Sequence, residues 1–334
     1  MKLWRVDLTA KKISIEDVPP AMDKLGGRGL SARILLDEID PSCDPLGPEN
    51  KLIFAPGLLV GHSLSSCDRI SIGGKSPLTG GIKEANAGGR TGLQMALLGI
   101  KALIIEGQPD WEKPRVLFLS KEKQEIIEMD ALVGLGVYET ADHLLKRFGD
   151  RHAYAINGPS GESLMLGAGI QNVDKDGVPS RIAARGGLGA VMGSKGIKAI
   201  VFDASGCDKP PLLDKTTFTK ARKRMNASIV NHPQTKTYAK YGTAAMARMA
   251  NAYGGLPTRN FSSGQFDKVN EISGEKLHEV LSTRKTPSDP THICMAGCAI
   301  RCSNTFGDED GNTIVSPLEY ETIGLVGSNL GIDS

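Results

Sequence analysis

Residues 181–200 read Arg181-Ile-Ala-Ala-Arg-Gly-Gly-Leu-Gly-Ala-Val-Met-Gly-Ser-Lys-Gly-Ile-Lys-Ala-Ile200. Arg185 is followed at once by Gly186, Gly187 and Gly189, then by Gly193 and Gly196, and 197–202 is an apolar run of strand type. Glycine enters backbone conformations closed to other residues and lets a ligand approach the main chain. Successive free N–H groups in such a loop form a concave anion site. Arg185 adds a planar fork of donors that suits phosphate. The stretch therefore reads as a cradle for an anionic ligand such as a phosphorylated cofactor. The same glycines would equally serve a turn that packs a helix on a sheet. A Walker loop is absent, and Gly187-x-Gly189-x-x-x-Gly193 is one residue longer than the dinucleotide fingerprint.

Working outward, strands are expected at 51–55, 69–72, 102–106, 116–119 and 153–156, and a hairpin at 3–8 and 12–16. Helices are expected at 31–39, after the turn Gly26-Gly-Arg-Gly-Leu30, and at 138–148. A second glycine-rich run, Lys75-Ser-Pro-Leu-Thr-Gly-Gly-Ile-Lys-Glu-Ala-Asn-Ala-Gly-Gly-Arg-Thr-Gly92, opens a helix that continues to about residue 98. After residue 202 the composition changes. Cys207-Asp-Lys-Pro-Pro211 reads as a linker, and 218–230, 235–252 and 274–281 read as helices. The expected fold is α+β: a strand-rich domain over 1–208, then a mainly helical domain over 212–334. No internal repeat is evident.

Forty glycines in 334 residues exceed the usual share of roughly 7 %. They imply many turns and close backbone approaches. The net charge of +2 and the 5 % aromatic content give no support to nucleic-acid binding. No apolar run has the length of a membrane span, and the N-terminal Met1-Lys-Leu-Trp-Arg-Val-Asp-Leu8 lacks a signal-peptide core. A cytoplasmic location is the corresponding expectation.

Three of the six cysteines cluster in Cys294-Met-Ala-Gly-Cys298-Ala-Ile-Arg-Cys302. Three thiolates so close can hold three corners of an iron–sulfur cluster, which normally takes four cysteines. Zinc would more often use paired C-x2–4-C spacings. The C-x3-C-x3-C spacing is one residue longer than the C-x3-C-x2-C of radical-SAM enzymes. Ser316-Pro-Leu-Glu319 reads as a capping box, with Ser316 as N-cap and Glu319 reaching back to its amide. That leaves Glu321 as the freer candidate for acid–base work.

Taken together, these stretches resemble the aldehyde:ferredoxin oxidoreductases, the tungsten- or molybdenum-pterin enzymes of anaerobes. The resemblance runs through Gly26-Gly-Arg-Gly-Leu30, Lys75-Ser-Pro-Leu-Thr-Gly80, Ala85-Asn-Ala-Gly-Gly89 and Arg185 to Lys195. It continues through Leu256-Pro-Thr-Arg-Asn-Phe261, the cysteine cluster, Glu319-Tyr-Glu321 and Gly327-Ser-Asn-Leu-Gly331. It implies a two-sheet N-terminal domain on which a bis-pterin lies, with tungsten or molybdenum held between the pterins and magnesium bridging their phosphates. It implies Arg69, Asn86, Gly88, Arg185, Gly186 and Gly187 as pterin contacts. Cys294, Cys298 and Cys302 become three ligands of a [4Fe–4S] cluster, and Glu319 or Glu321 an acid near the metal. The family spacing is C-x2-C-x3-C, one residue shorter in its first interval than the spacing here.

The activity so implied is oxidation of an aldehyde to a carboxylic acid, with electrons leaving through the cluster to ferredoxin or an iron–sulfur subunit. A homodimer is common among relatives, and some relatives are catalytic subunits of aryl-CoA reductases. Family members continue beyond the position of Ser334 and carry the fourth cluster cysteine there. The chain is thus expected to be an N-terminal portion, a split subunit or a truncated product. The rival reading is a non-catalytic chain that needs a partner polypeptide, which predicts an exposed apolar surface after Leu325.

Overall fold

The computed structural model describes residues 1–333. They form two compact units, Met1–Leu213 and a second beginning at Asp214.

The first unit contains β1 (Lys2–Asp7), β2 (Lys12–Glu16), α1 (Gly27–Glu38), β3 (Leu52–Pro56), β4 (Ile70–Lys75), β5 (Ile82–Ala87), α2 (Thr91–Leu97) and β6 (Ile100–Glu106). It continues with β7 (Arg115–Ser120), β8 (Gln124–Ile127), α3 (Val137–Phe148), β9 (Ala153–Asn157), α4 (Pro159–Glu162), β10 (Ile170–Asn172), β11 (Arg181–Ala183), α5 (Leu188–Ser194) and β12 (Ile197–Asp203). The strands make two six-stranded sheets, ordered β2-β1-β6-β3-β4-β5 and β11-β10-β9-β12-β7-β8.

Read from the opposite end, the second order is the first with six added to every strand number. The pairing directions match as well. β1 with β6 and β7 with β12 are the parallel pairs, and every other pairing is antiparallel. The unit is therefore an internal duplication, which corrects the expectation of no repeat. Its clearest sequence trace is Gly99-Ile-Lys-Ala102 against Gly196-Ile-Lys-Ala199, each leading into the last strand of its sheet.

Strand periodicity sets the layers. Leu52 and Phe54 face the core shared by the two sheets, where Phe54 meets Phe202 at 6.4 Å between ring centroids. Ile53 and Ala55 point the other way and pack under α1 with Leu30, Ile34 and Leu35. The second sheet repeats this, with Leu117, Leu119 and Phe202 inside and Val116, Tyr154 and Val201 under α3. Both sheets are buried on both faces, so their central strands are almost continuously apolar.

The second unit contains α6 (Lys215–Asn231), α7 (Pro233–Tyr241), α8 (Met246–Ala252) and α9 (Gly274–Thr283). The single helix expected over 235–252 is broken at Gly242, whose φ of 63° stops α7 before a 3₁₀ turn leads into α8. Beyond the helices lies a three-stranded sheet, β13 (Asp289–His292), β14 (Ser303–Gly307) and β15 (Thr313–Val315). A short helix α10 (Tyr320–Thr322) runs into a π-helix over Ile323–Ser328. Among the described residues no helix is long and apolar enough to cross a membrane.

Candidate functional site

The β4–β5 hairpin carries the first group of expected residues. Ile70, Ile72, Ala85 and Ala87 face the shared core. The alternate residues Ser71, Glu84 and Asn86 therefore lie on the α1 side, where Ser71 pairs with Asn86 in the register. Asn86 accepts a hydrogen bond from Arg69 Nε and donates to Ser71 Oγ at 3.3 Å, and Ser71 donates to Glu84 at 2.6 Å. Arg69 and Asn86 are both exposed. The Gly27 turn lies over this face, its φ of +53° placing Cα close to Ser71. Gly88 is buried in the turn that follows β5. The group thus offers one guanidinium, one amide and one carboxylate at an open surface.

The second group is the Arg185 loop. Gly186 and Gly187 have φ of +80° and +71°, a region that favours glycine. A Cβ on Gly186 would meet Lys83 at 2.3 Å, and one on Gly187 would meet the Leu166 carbonyl at 2.1 Å. The amides of Gly186 and Gly187 have no hydrogen-bond acceptor among the described residues. The exposed Arg185 guanidinium has no ion-pair partner among them either. Gly189 and Gly193 have a different role. A Cβ there would lie 2.6 Å from Gly169 O and 1.9 Å from Gly161 O, so these glycines let α5 pack closely. The packing reading of the glycine run therefore holds for Gly189 and Gly193, whereas Gly186 and Gly187 present amides without a protein acceptor among the described residues.

The two glycine-rich runs meet through Ser76, whose hydroxyl donates to Gly186 O at 2.7 Å and accepts from the amides of Leu78 and Thr79. They do not share a face. Asn86 lies on the α1 side of β5, whereas Lys83, which Gly186 touches, lies on the side of the second sheet. Lys195, at the end of α5, anchors the loop from behind. It is fully buried and donates to Gly47 O, Pro48 O and Gly107 O at 3.0, 3.3 and 2.9 Å. Burial pulls its pKa down to about 8, helped by the Lys51 charge.

In the second unit, Cys294, Cys298 and Cys302 lie in the connection from β13 to β14. Burial pushes the Cys302 thiol up to about 11, with further contributions from the Glu319 carboxylate and the Cys294 and Cys298 thiols. Those contributions put all four groups in one neighbourhood. The three sulfurs do not lie mutually within 4.8 Å. A single tetrahedral zinc would hold its sulfurs about 3.8 Å apart.

The capping box is not formed. Ser316 Oγ donates to Asn304 O, and the Asn304 side chain accepts from Leu318 N at 2.9 Å and donates to Leu318 O at 2.6 Å. This clamp ties 316–318 to β14, so the helix starts only at Tyr320, with Glu319 as its N-cap residue. Glu319 thereby lies near Cys302, while Glu321 is exposed. Thr243 joins the two segments, donating its amide to Cys302 O at 3.2 Å and accepting from Tyr320 N at 3.0 Å. Thr243, Asn304, Ser76 and Lys195 were not singled out from sequence, because their partners lie far along the chain.

The Leu256–Phe261 motif holds three successive non-glycine residues in the left-handed region, Arg259, Asn260 and Phe261, with φ of 44°, 58° and 59°. Such strain persists only where the surroundings fix it. Here the amides of Arg259, Asn260 and Phe261 donate to Ser328 O, Asn329 O and the Asn329 side chain. The motif is thus bonded to the end of the π-helix.

The sequence profile described as "Aldehyde ferredoxin oxidoreductase, N-terminal domain" matches residues 3–204, and "Aldehyde ferredoxin oxidoreductase, domains 2 & 3" matches 220–334. The chain is 37 % identical to a tungsten-containing aldehyde ferredoxin oxidoreductase of Thermococcus kodakarensis, over 99 % of this chain and 53 % of that protein. It is 37 % identical to the Pyrococcus furiosus protein so described, over 98 % and 52 %. The chain thus spans about half the length of the curated relatives it matches. Among solved structures, the BamBC active-site complex of benzoyl coenzyme A reductase superposes with a TM-score of 0.80 and 24 % identity, over 99 % of this chain and 50 % of that one. That likeness supports the fold.

Proposed function

The chain belongs to the aldehyde ferredoxin oxidoreductase family, and on that premise we propose that it is the cofactor-carrying portion of a tungsten- or molybdenum-pterin oxidoreductase that oxidises an aldehyde to a carboxylic acid. The gathering of Cys294, Cys298 and Glu319 around the half-buried Cys302 thiol is the observation that supports this most. The donor sets fit the groups. Arg185, with the unpartnered amides of Gly186 and Gly187, offers cation and N–H donors to pterin or phosphate oxygens. Arg69 and Asn86, with Gly88 in the adjacent turn, offer a second polar surface. The three cysteines offer soft thiolates for a [4Fe–4S] cluster.

When bound, the metal–pterin group would supply two-electron chemistry at the substrate carbon, and a cluster held by Cys294, Cys298 and Cys302 would supply one-electron transfer toward ferredoxin or an iron–sulfur subunit. The protein's part is to hold and orient. Ser76 fixes the Gly186 carbonyl and so the direction of the neighbouring amides. Lys195 holds the far end of α5 against three carbonyls. Glu319 stands where a carboxylate can take or return a proton beside Cys302, and Glu321 is the exposed alternative. Magnesium bridging the pterin phosphates, and a homodimer, belong to the same reading.

The test is aldehyde-dependent reduction of a viologen dye by the anaerobically purified protein. Activity that requires tungstate or molybdate in the growth medium is expected. Equal activity without either metal would sink the proposal. A second reading, a subunit that works only with a partner polypeptide, is favoured by Leu325, Val326, Leu330 and Ile332, which are 45 to 64 % exposed. It predicts that cofactor is retained only when that partner is co-purified.

A further inference from the structure

Between residues 215 and 266 the chain carries nine Lys and Arg and no Asp or Glu, whereas 267–333 carries eleven Asp and Glu against five Lys and Arg. The basic stretch begins with α6 and α7. Neither helix has a buried residue, so internal packing does not explain the charge. Lys215, Lys220, Lys223, Arg224, Lys236 and Lys240 are exposed, and Arg222 is half-buried. Two of the nine cations have a carboxylate partner, Arg248 with Glu275 and Arg259 with Asp267. The seven on α6 and α7 have none among the described residues. Lys220 and Arg224 stand four residues apart on one helix face, a like-charge spacing that weakens a helix. A partner's carboxylates would relieve that repulsion.

The position of this surface matters as much as its sign. Gly242 ends α7, and a Cβ there would lie 2.9 Å from Cys302 O. Thr243 donates its amide to the same carbonyl. Lys240 is therefore two residues from a group that touches the cysteine segment. A partner seated on α7 lies beside that segment.

We propose that α6 and α7 form the docking surface for a small acidic iron–sulfur electron carrier, brought up against the cysteine triplet. The inference rests on the reading that the triplet holds a cluster, since only then does closeness to it serve electron transfer. Charge complementarity would raise the encounter rate and orient the carrier while leaving the complex short-lived. The carrier needs an excess of carboxylates around its own cluster.

The experiment titrates the anaerobically purified holoprotein with an acidic [4Fe–4S] ferredoxin in a calorimeter, at low and at high salt. The K220E/K223E/R224E variant is compared with a control of equal charge, K24E/K121E/K146E, on the first unit. We expect the first variant to weaken binding by about tenfold or more and the control to leave it within about twofold. The wild-type affinity should fall steeply with salt, as charge-driven docking requires. Equal binding by wild type and K220E/K223E/R224E overturns the proposal. So does tighter binding of these lysines to duplex DNA or anionic vesicles than to the ferredoxin. Iron is measured on the same samples. Protein that lacks iron yet binds the ferredoxin through α6 overturns the cluster reading and leaves the docking surface standing.

Discussion

Ser76 and Gly186 are 110 residues apart, and one hydrogen bond of 2.7 Å from the serine hydroxyl to the glycine carbonyl joins the two glycine-rich runs. The carbonyl is buried, and removing its donor leaves it unsatisfied. Ser76→Ala is therefore expected to cost about 1–3 kcal/mol of stability, measured as a lower denaturant midpoint with an unchanged slope. If the Arg185 loop holds the pterin phosphates, the same variant retains less tungsten or molybdenum after gel filtration. An unchanged midpoint would show that Ser76 does not hold the loop.

Gly187 and Gly134 have nearly the same φ, +71° and +74°, but different surroundings. A Cβ on Gly134 meets nothing within 4 Å, and one on Gly187 meets Leu166 O at 2.1 Å. Gly134→Ala is expected to cost about 1 kcal/mol from backbone strain alone. Gly187→Ala must also displace main chain, and the overpacking adds about 1–3 kcal/mol. Thermal melts of the two variants check this, and similar losses would refute the close approach at Gly187.

Lys195 gives a pH prediction of definite sign. Its folded pKa, about 8, lies below the value of an unfolded lysine, about 10.4. The contribution is therefore fully present above the unfolded pKa and is lost as pH falls toward 8. The stability of wild type relative to Lys195→Met should rise between pH 8 and about 10.4 and stay flat below 8. Urea titrations of both proteins across that range measure the difference, and a flat difference would contradict it.

Much of the fold was legible and some of it was not. Apolar runs such as Leu52 to Pro56 and Ile197 to Asp203 announced buried strands, and the two-sheet α+β architecture followed. Strand β5 stayed hidden in Ile82-Lys-Glu-Ala-Asn-Ala87 because it is an edge strand whose α1-side residues are polar. The duplication was written in the chain but faint. Lys101 and Lys198 hold equivalent places, donating to Asp23 O at 2.6 Å and Leu135 O at 2.8 Å, each at the turn before its half's first long helix. Only the short Gly-Ile-Lys-Ala segment around them stayed alike. The capping box failed because Asn304 outcompeted it, a partner twelve residues away that no local pattern reveals. Thr243 was invisible for the same reason, its two partners lying about sixty and eighty residues downstream.

Cys302 offers a chemical test in the metal-free protein. With its thiol pushed up to about 11, the reactive thiolate is scarce at pH 8. Alkylation of Cys302 by iodoacetamide should be slow at pH 8 and quicken by about tenfold per pH unit up to its pKa. Peptide mass mapping against time follows it. Fast modification of Cys302 at pH 8 would show that its surroundings do not hold the thiol protonated.

The most direct test is elemental analysis of protein purified anaerobically from its native source, made on wild type and Cys302→Ser alike. Tungsten or molybdenum with about four iron atoms per chain, and loss of iron but not of the heavier metal in Cys302→Ser, is the expected result. One zinc per chain, or no tungsten, molybdenum or iron in the wild type, would contradict it.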